Sequence, residues 1–163
     1  MGLRHLMPSG QARMVGVAGK AVTARTARAE AWVKVGRSVA KLLRQSGGVA
    51  KGNVLETARL AGIMAAKRTS ELIPMCHPLP LDLVEMKAEL KGEQVRLEAR
   101  VASQGKTGVE MEALTAAAVA ALTVYDMVKS AGKGVEIGPV RLLEKTGGKS
   151  GHWRRGSEPD EQD

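Results

Sequence analysis

Residues 84–101 read VEMKAELKGEQVRLEARV, two alternating runs joined at Lys91-Gly92-Glu93. Val84, Met86, Ala88 and Leu90 alternate with Glu85, Lys87 and Glu89. Beyond the turn, Val95, Leu97, Ala99 and Val101 alternate with Arg96, Glu98 and Arg100. A period of two with one apolar side predicts an antiparallel hairpin, one face on a core and the other in water. Residues 22–35 carry the same period. Thr23, Arg25, Ala27, Ala29, Ala31 and Val33 fall on one side, and Thr26, Arg28, Glu30 and Lys34 on the other. Residues 13–18 alternate too and are read with them, although so much alanine leaves a helix open. Residues 135–145 read as a last strand, which Pro139 confines to an edge or a bulge.

Between these runs the period changes. Residues 38–45 predict a short helix closed by Gly47 and Gly48. A second helix starts at Asn53, which with Glu56 three residues on resembles a capping box, and runs toward Pro74. Ala58, Ala61, Gly62, Ala65 and Ala66 give it a face of small residues, and Lys67 and Arg68 stand where cations meet a helix dipole favourably. Residues 108–131 predict a long helix with Met111, Leu114, Ala118, Leu122 and Tyr125 at helical spacing, stopped by Gly132 and Gly134. Antiparallel strands with helices on one face make an α+β architecture.

A chain of 163 residues is one domain with room for a core. Its expected limits are a flexible N-terminus over 1–11, a single catalytic domain over 12–151, and a flexible acidic tail over 152–163. With aromatics at 2% and no Phe, that core must be aliphatic, and oligomerisation is one way to bury more surface. The single cysteine excludes an intrachain disulfide and suits a reducing cytosol. No apolar run approaches the ~20 residues of a membrane span, and the N-terminus lacks the apolar centre of a signal peptide. The expectation is a cytoplasmic chain with no membrane partner. A net charge of +8 invites a polyanion. The cations are scattered singly, and one Tyr with two Trp is little for base stacking, so a small phosphorylated metabolite fits better than nucleic acid.

Residues 70–83, SELIPMCHPLPLDL, place Cys76 beside His77 in a turn stiffened by Pro74, Pro78 and Pro80. Such a turn either presents the ring or is an ordinary connection with a hydrogen-bonded histidine. On the long helix Glu112, Ala116, Val119, Thr123, Asp126 and Lys129 share one stripe. Glu112 and Asp126 are about 40° apart around the axis but roughly 21 Å along it. No small substrate bridges both from one straight helix, so each needs partners from another element or another subunit. The plainer reading of Asp126 and Lys129 is a surface i, i+3 pair. Lys51-Gly52-Asn53 precedes a helix N-terminus, a place for a phosphate or simply an entry loop. In residues 146–151, TGGKSG, a Walker A motif would need its first glycine at Leu143, which excludes it. A Gly-rich anion-binding turn with Lys145 or Lys149, or a mobile tail, remains. One Cys and three dispersed His have no zinc spacing, so no metal site is expected.

Taken together, MVGVAGK, ARTARAEA, KGNVLETARLAGIMAAKRTSELIPMCHPLPL, KTGVEMEALTAAAVAALTVYDMVK and IGPVRLLEKTGGKSG resemble the molybdenum cofactor biosynthesis protein C family, the cyclic pyranopterin monophosphate synthases. The likeness spans roughly residues 13–151. It implies a ferredoxin-like subunit and a homohexamer built as a trimer of dimers, with sites at the dimer interface. It implies conversion of 3′,8-cyclo-7,8-dihydroguanosine triphosphate to cyclic pyranopterin monophosphate with release of pyrophosphate. By motif, Asp126 would be the catalytic acid or base, with Lys129 and Lys51 as catalytic companions. Met75, Cys76, His77, Met111 and Glu112 would bind substrate, Lys20, Arg25 and Lys145 would serve its triphosphate, and Lys67 joins the substrate-binding set. No tightly bound cofactor is expected, and any Mg²⁺ would ride on the triphosphate. The chain departs from the family at Gly16, where MVDVS is common and MVGVA stands here. Against this enzyme stand two rivals: a nucleic-acid-binding module, on the +8 charge, and a catalytically silent oligomeric relative, on Gly16.

Overall fold

The computed structural model describes residues 6–49 and 51–156. In chain order the elements are β1 (Thr23–Lys34), α1 (Gly36–Ser46), β2 (Gly48–Val49), β3 (Gly52–Asn53), α2 (Val54–Ala66), α3 (Thr69–Leu72), β4 (Leu83–Lys91), β5 (Gln94–Gly105), α4 (Glu110–Val128), β6 (Glu136–Thr146) and β7 (Trp153–Arg154). The main sheet has the order β4-β5-β1-β6-β7, antiparallel throughout. Helices α2 and α4 pack together and cover one face. Leaving aside the two-residue strands, the βαββαβ order with β5 between β4 and β1 is the ferredoxin-like arrangement. Helices segregated to one face of an antiparallel sheet are the α+β architecture expected from sequence.

The hairpin forms in the expected register, Met86 opposite Ala99 and Ala88 opposite Leu97, around a two-residue turn with Gly92 at φ +62°. Val95, Leu97, Ala99 and Val101 are fully buried, as are Ala27, Ala29, Ala31 and Val33 of β1, so the alanine-rich run is a strand. On the opposite face a charged ladder forms. Arg96 and Arg141 both close on Glu30, which is only 3% exposed, and Arg28 bridges Glu98 and Glu144. Burial opposes ionisation of Glu30, but hydrogen bonds from Arg96, Arg141 and Trp32 hold its carboxyl below the ordinary range. Pro139 sits where the β1–β6 register slips, between the pairs Ala31–Val140 and Val33–Ile137, so the expected bulge is there.

Several expectations are corrected. Residues 13–18 are not a strand. Of the expected N-terminal lead, residues 1–5 lie outside the described residues, while Leu6 bridges Ala12 across a small turn. The tail expected from 152 opens with β7, and Arg155 N–H donates to Leu143 O at 2.8 Å; 157–163 lie outside the described residues. Half of the capping box forms. Asn53 Oδ1 accepts from Glu56 N–H at 3.0 Å, but the Glu56 carboxylate turns to Arg59.

Most of the apolar stripe assigned to α4 faces outward, although Leu114 packs against the core. Met111, Leu122 and Tyr125 are exposed, and the inward face is Ala113, Ala116, Ala117, Ala120, Ala121 and Val124. Alanine lets helix, neighbour and sheet approach closely, and at Gly62 of α2 an added Cβ would stand 3.0 Å from Ala116 O. By length and hydropathy α4 could span a bilayer, contrary to the sequence reading, yet more than half of it is packed inside the fold.

Candidate active site

Two clusters form at the two ends of α4. At its N-terminal end is a cavity of about 440 Å³, lined by Met75, Cys76, His77 and Leu79 on one side and by Thr107, Gly108, Glu110, Met111 and Glu112 on another. Val15, Val17 and Lys20 complete it. The proline-rich turn is held in place by main-chain hydrogen bonds. Cys76 N–H donates to Ile73 O, Asp82 N–H to Ala102 O, and the Ser103 hydroxyl to Pro80 O at 2.7 Å. Strand β5 thus pins the segment that carries Cys76 and His77.

Glu110 and Glu112 stand in the first turn of α4, where the helix dipole favours acids. Their surroundings differ. Glu110 accepts a hydrogen bond from the Lys145 ammonium at 2.9 Å, whereas Glu112 is 4% exposed and has no basic partner among the described residues. Burial pushes the Glu112 carboxyl above its ordinary range and the Glu110 charge adds to this, while the Glu112 amide opposes it. Burial also raises the Cys76 thiol, helped by the charge of Glu112. The cavity therefore sets a buried acid and a thiol, both shifted toward their neutral forms, beside a second acid paired with Lys145.

At the C-terminal end of α4, Asp126 stands between two ammoniums. Lys129 lies 2.7 Å from Oδ1 and Lys51 lies 3.1 Å from Oδ2. Lys51 sits in the tight turn between β2 and β3, so that small hairpin aims it at the helix end. Hydrogen bonds from Lys129 and then Lys51 hold the Asp126 carboxyl below the usual aspartate range, and Asp126 raises Lys129 in return.

The structure brings Lys20, Met75, Cys76, His77, Met111 and Glu112 to one cavity, and Lys51, Asp126 and Lys129 to one cluster. Three expected residues stand elsewhere. Lys67, the C-cap of α2, lines a separate hollow with Ile63, Leu81 and Asp82. Arg25 donates to Gly105 O at 3.0 Å and lies under the Gly147-Gly148 turn. Lys145 reaches the cavity only through Glu110. Of the two sources of partners left open for Glu112 and Asp126, another element of the same chain supplies some: Lys51 meets Asp126, and His77 shares the cavity with Glu112. What remains separated is cavity from cluster. Sequence reasoning passed over Glu110, Val15 and Val17. Glu110 lies off the Glu112–Asp126 stripe, and its signal was an acid in a first helical turn.

The "MoaC family" model matches residues 14–148. A protein of Streptomyces avermitilis and one of Streptomyces coelicolor, both named cyclic pyranopterin monophosphate synthase, are each 56% identical over 153 residues, covering 94% of this chain and 89% of theirs. A third of that name, from Thermomicrobium roseum, is 55% identical over 155 residues, covering 94% of this chain and 93% of its own. With the match running from Met14, ahead of the cavity wall, to Gly148 beside Arg25, this chain belongs to the MoaC family.

Proposed function

We propose that this chain is a cyclic pyranopterin monophosphate synthase, a lyase of molybdenum cofactor biosynthesis. It takes 3′,8-cyclo-7,8-dihydroguanosine 5′-triphosphate to cyclic pyranopterin monophosphate and pyrophosphate. One observation carries the reading: the Met75–Cys76–His77 turn and the Glu110–Glu112 helix start close on one cavity, in a chain 55–56% identical to proteins of that name.

The ring system enters the cavity, where Glu112 faces the hydrogen-bonding edge of the base and Met75 and Met111 supply apolar contact. Lys20 binds the triphosphate, with Lys145 and Arg25 behind it. Mg²⁺ is assigned to the triphosphate, as part of the substrate. Closing the cyclic phosphate forms one P–O bond from a sugar-derived hydroxyl and breaks another as pyrophosphate leaves. Asp126, ionised between two ammoniums, takes the hydroxyl proton; Lys51 and Lys129 offset the charge that develops on phosphate and return protons during ring rearrangement.

A single copy leaves cavity and Asp126 cluster at opposite ends of α4, so the reading includes a cytoplasmic homohexamer in which one copy's cluster completes another's cavity. The outward side chains Leu60, Met64, Leu122 and Tyr125 on the helix layer support such packing. The test is turnover of the cyclic triphosphate by purified protein, followed as pterin fluorescence after oxidation. Absence of product from folded, assembled protein rejects the enzyme in favour of a silent relative.

A further inference from the structure

Residues 13–22 have no strand or helix and are mostly exposed, yet Val15 and Val17 form one wall of the cavity and Lys20 stands at it. Gly16 and Gly19 lie in this segment without a positive φ, and a Cβ at either would meet nothing within 4 Å. Neither glycine is required by space or backbone, so their effect is to loosen the segment. Lys20 N–H donates to Val17 O at 3.0 Å and folds the far end into a turn. Beside that turn the Lys106 ammonium donates to Ala18 O at 3.0 Å. Lys106 belongs to the other wall: it follows the end of β5 and precedes Thr107, Gly108 and Glu110, all of which line the cavity. One ammonium thus ties two walls together with a charge-assisted hydrogen bond, stronger than a neutral one.

We propose that Lys106 is a positioning residue, latching residues 13–22 across the cavity so that Val15, Val17 and Lys20 close on the substrate. The identity of that substrate rests on the synthase reading; the latch does not. Lys106→Met removes the donor and keeps the stem, whereas Lys106→Arg keeps a donor. Limited trypsin digestion of the ligand-free chain is followed at Lys20. The latch predicts cleavage there roughly tenfold faster in Lys106→Met, the weight of one hydrogen bond from a charged group. The melting temperature stays unchanged, and Lys106→Arg digests at the wild-type rate. With the cyclic triphosphate, KM rises in Lys106→Met while kcat holds. Equal cleavage at Lys20 in wild type and Lys106→Met overturns the latch, as does a fall in kcat at unchanged KM. A wild-type chain without turnover overturns the synthase reading instead and leaves the digestion to decide the latch.

Discussion

The Lys51 ammonium donates to two oxygens of Asp126 at once, the main-chain carbonyl at 2.9 Å and carboxylate Oδ2 at 3.1 Å. The first bond satisfies one of the carbonyls that the end of α4 leaves without an intrahelical partner. The second, with Lys129 on Oδ1, keeps the carboxylate charged. Lys51 therefore serves the helix end and the candidate base together.

Asp126→Asn is expected to leave the melting temperature unchanged, because the side chain is exposed, and to lower turnover by about 10²–10⁴-fold, the range for general acid–base groups. A variant converting substrate near the wild-type rate would remove Asp126 from the chemistry.

The pH dependence follows from the sign of the shift. Asp126 is held below the ordinary aspartate range, first by Lys129 and then by Lys51, so it stays ionised on acidification past the point where a free aspartate protonates. The acid limb of kcat/KM should accordingly move up in pH in Lys129→Met, and by less in Lys51→Met. An acid limb that ignores both changes would mean that another group controls it.

Glu112 has the opposite sign. Its folded-state range is raised, so its contribution to stability is present below the pH at which it titrates in the unfolded chain and is lost as pH rises through its folded range. Glu112→Gln, which cannot ionise, should gain melting temperature over wild type as pH goes from mildly acidic to alkaline, while substrate affinity falls. A wild-type-minus-variant difference that is flat with pH would show that Glu112 is not strained by its charge.

At Gly147, φ is +99° and a Cβ would stand 2.3 Å from Ala24 O, a backbone atom that cannot step aside; at Gly148 it would meet the Arg25 guanidinium. Gly147→Ala should therefore displace the end of β6 from β1, cost about 1–3 kcal/mol for overpacking, and raise KM through Arg25. A wild-type melting curve would refute the close approach.

The hairpin register and β1 were legible because each apolar residue at period two lies under the helices, Leu97 and Ala31 alike. The alternation in residues 13–18 was real but misassigned. Val15 and Val17 turn toward a cavity rather than a core, and a period of two does not distinguish them. The inward face of α4 was misread because three of its large side chains, Met111, Leu122 and Tyr125, point outward. The face that α4 turns to the core is mostly alanine, with Val124, Met127 and Val128 at its C-terminal end, so side-chain size is a poor guide to it. The pairing of Lys51 with Asp126 was not legible, since it depends on where a hairpin between two-residue strands aims one flexible side chain.

Assembly gives the last prediction. His77 and Glu112 share a cavity at one end of α4, and Asp126 sits about 21 Å along the helix from Glu112 by its rise per residue. If one copy's Asp126 completes another copy's cavity, two inactive chains can repair each other. Asp126→Asn carries an intact cavity, and His77→Ala carries an intact Asp126, Lys51 and Lys129. Co-refolded in equal amounts and paired at random, they should form a correct site at about a quarter of positions, and activity should return to that order. Each variant refolded alone should stay inactive. Failure of the mixture to regain activity, with light scattering showing mixed oligomers, would place the whole reaction within one chain.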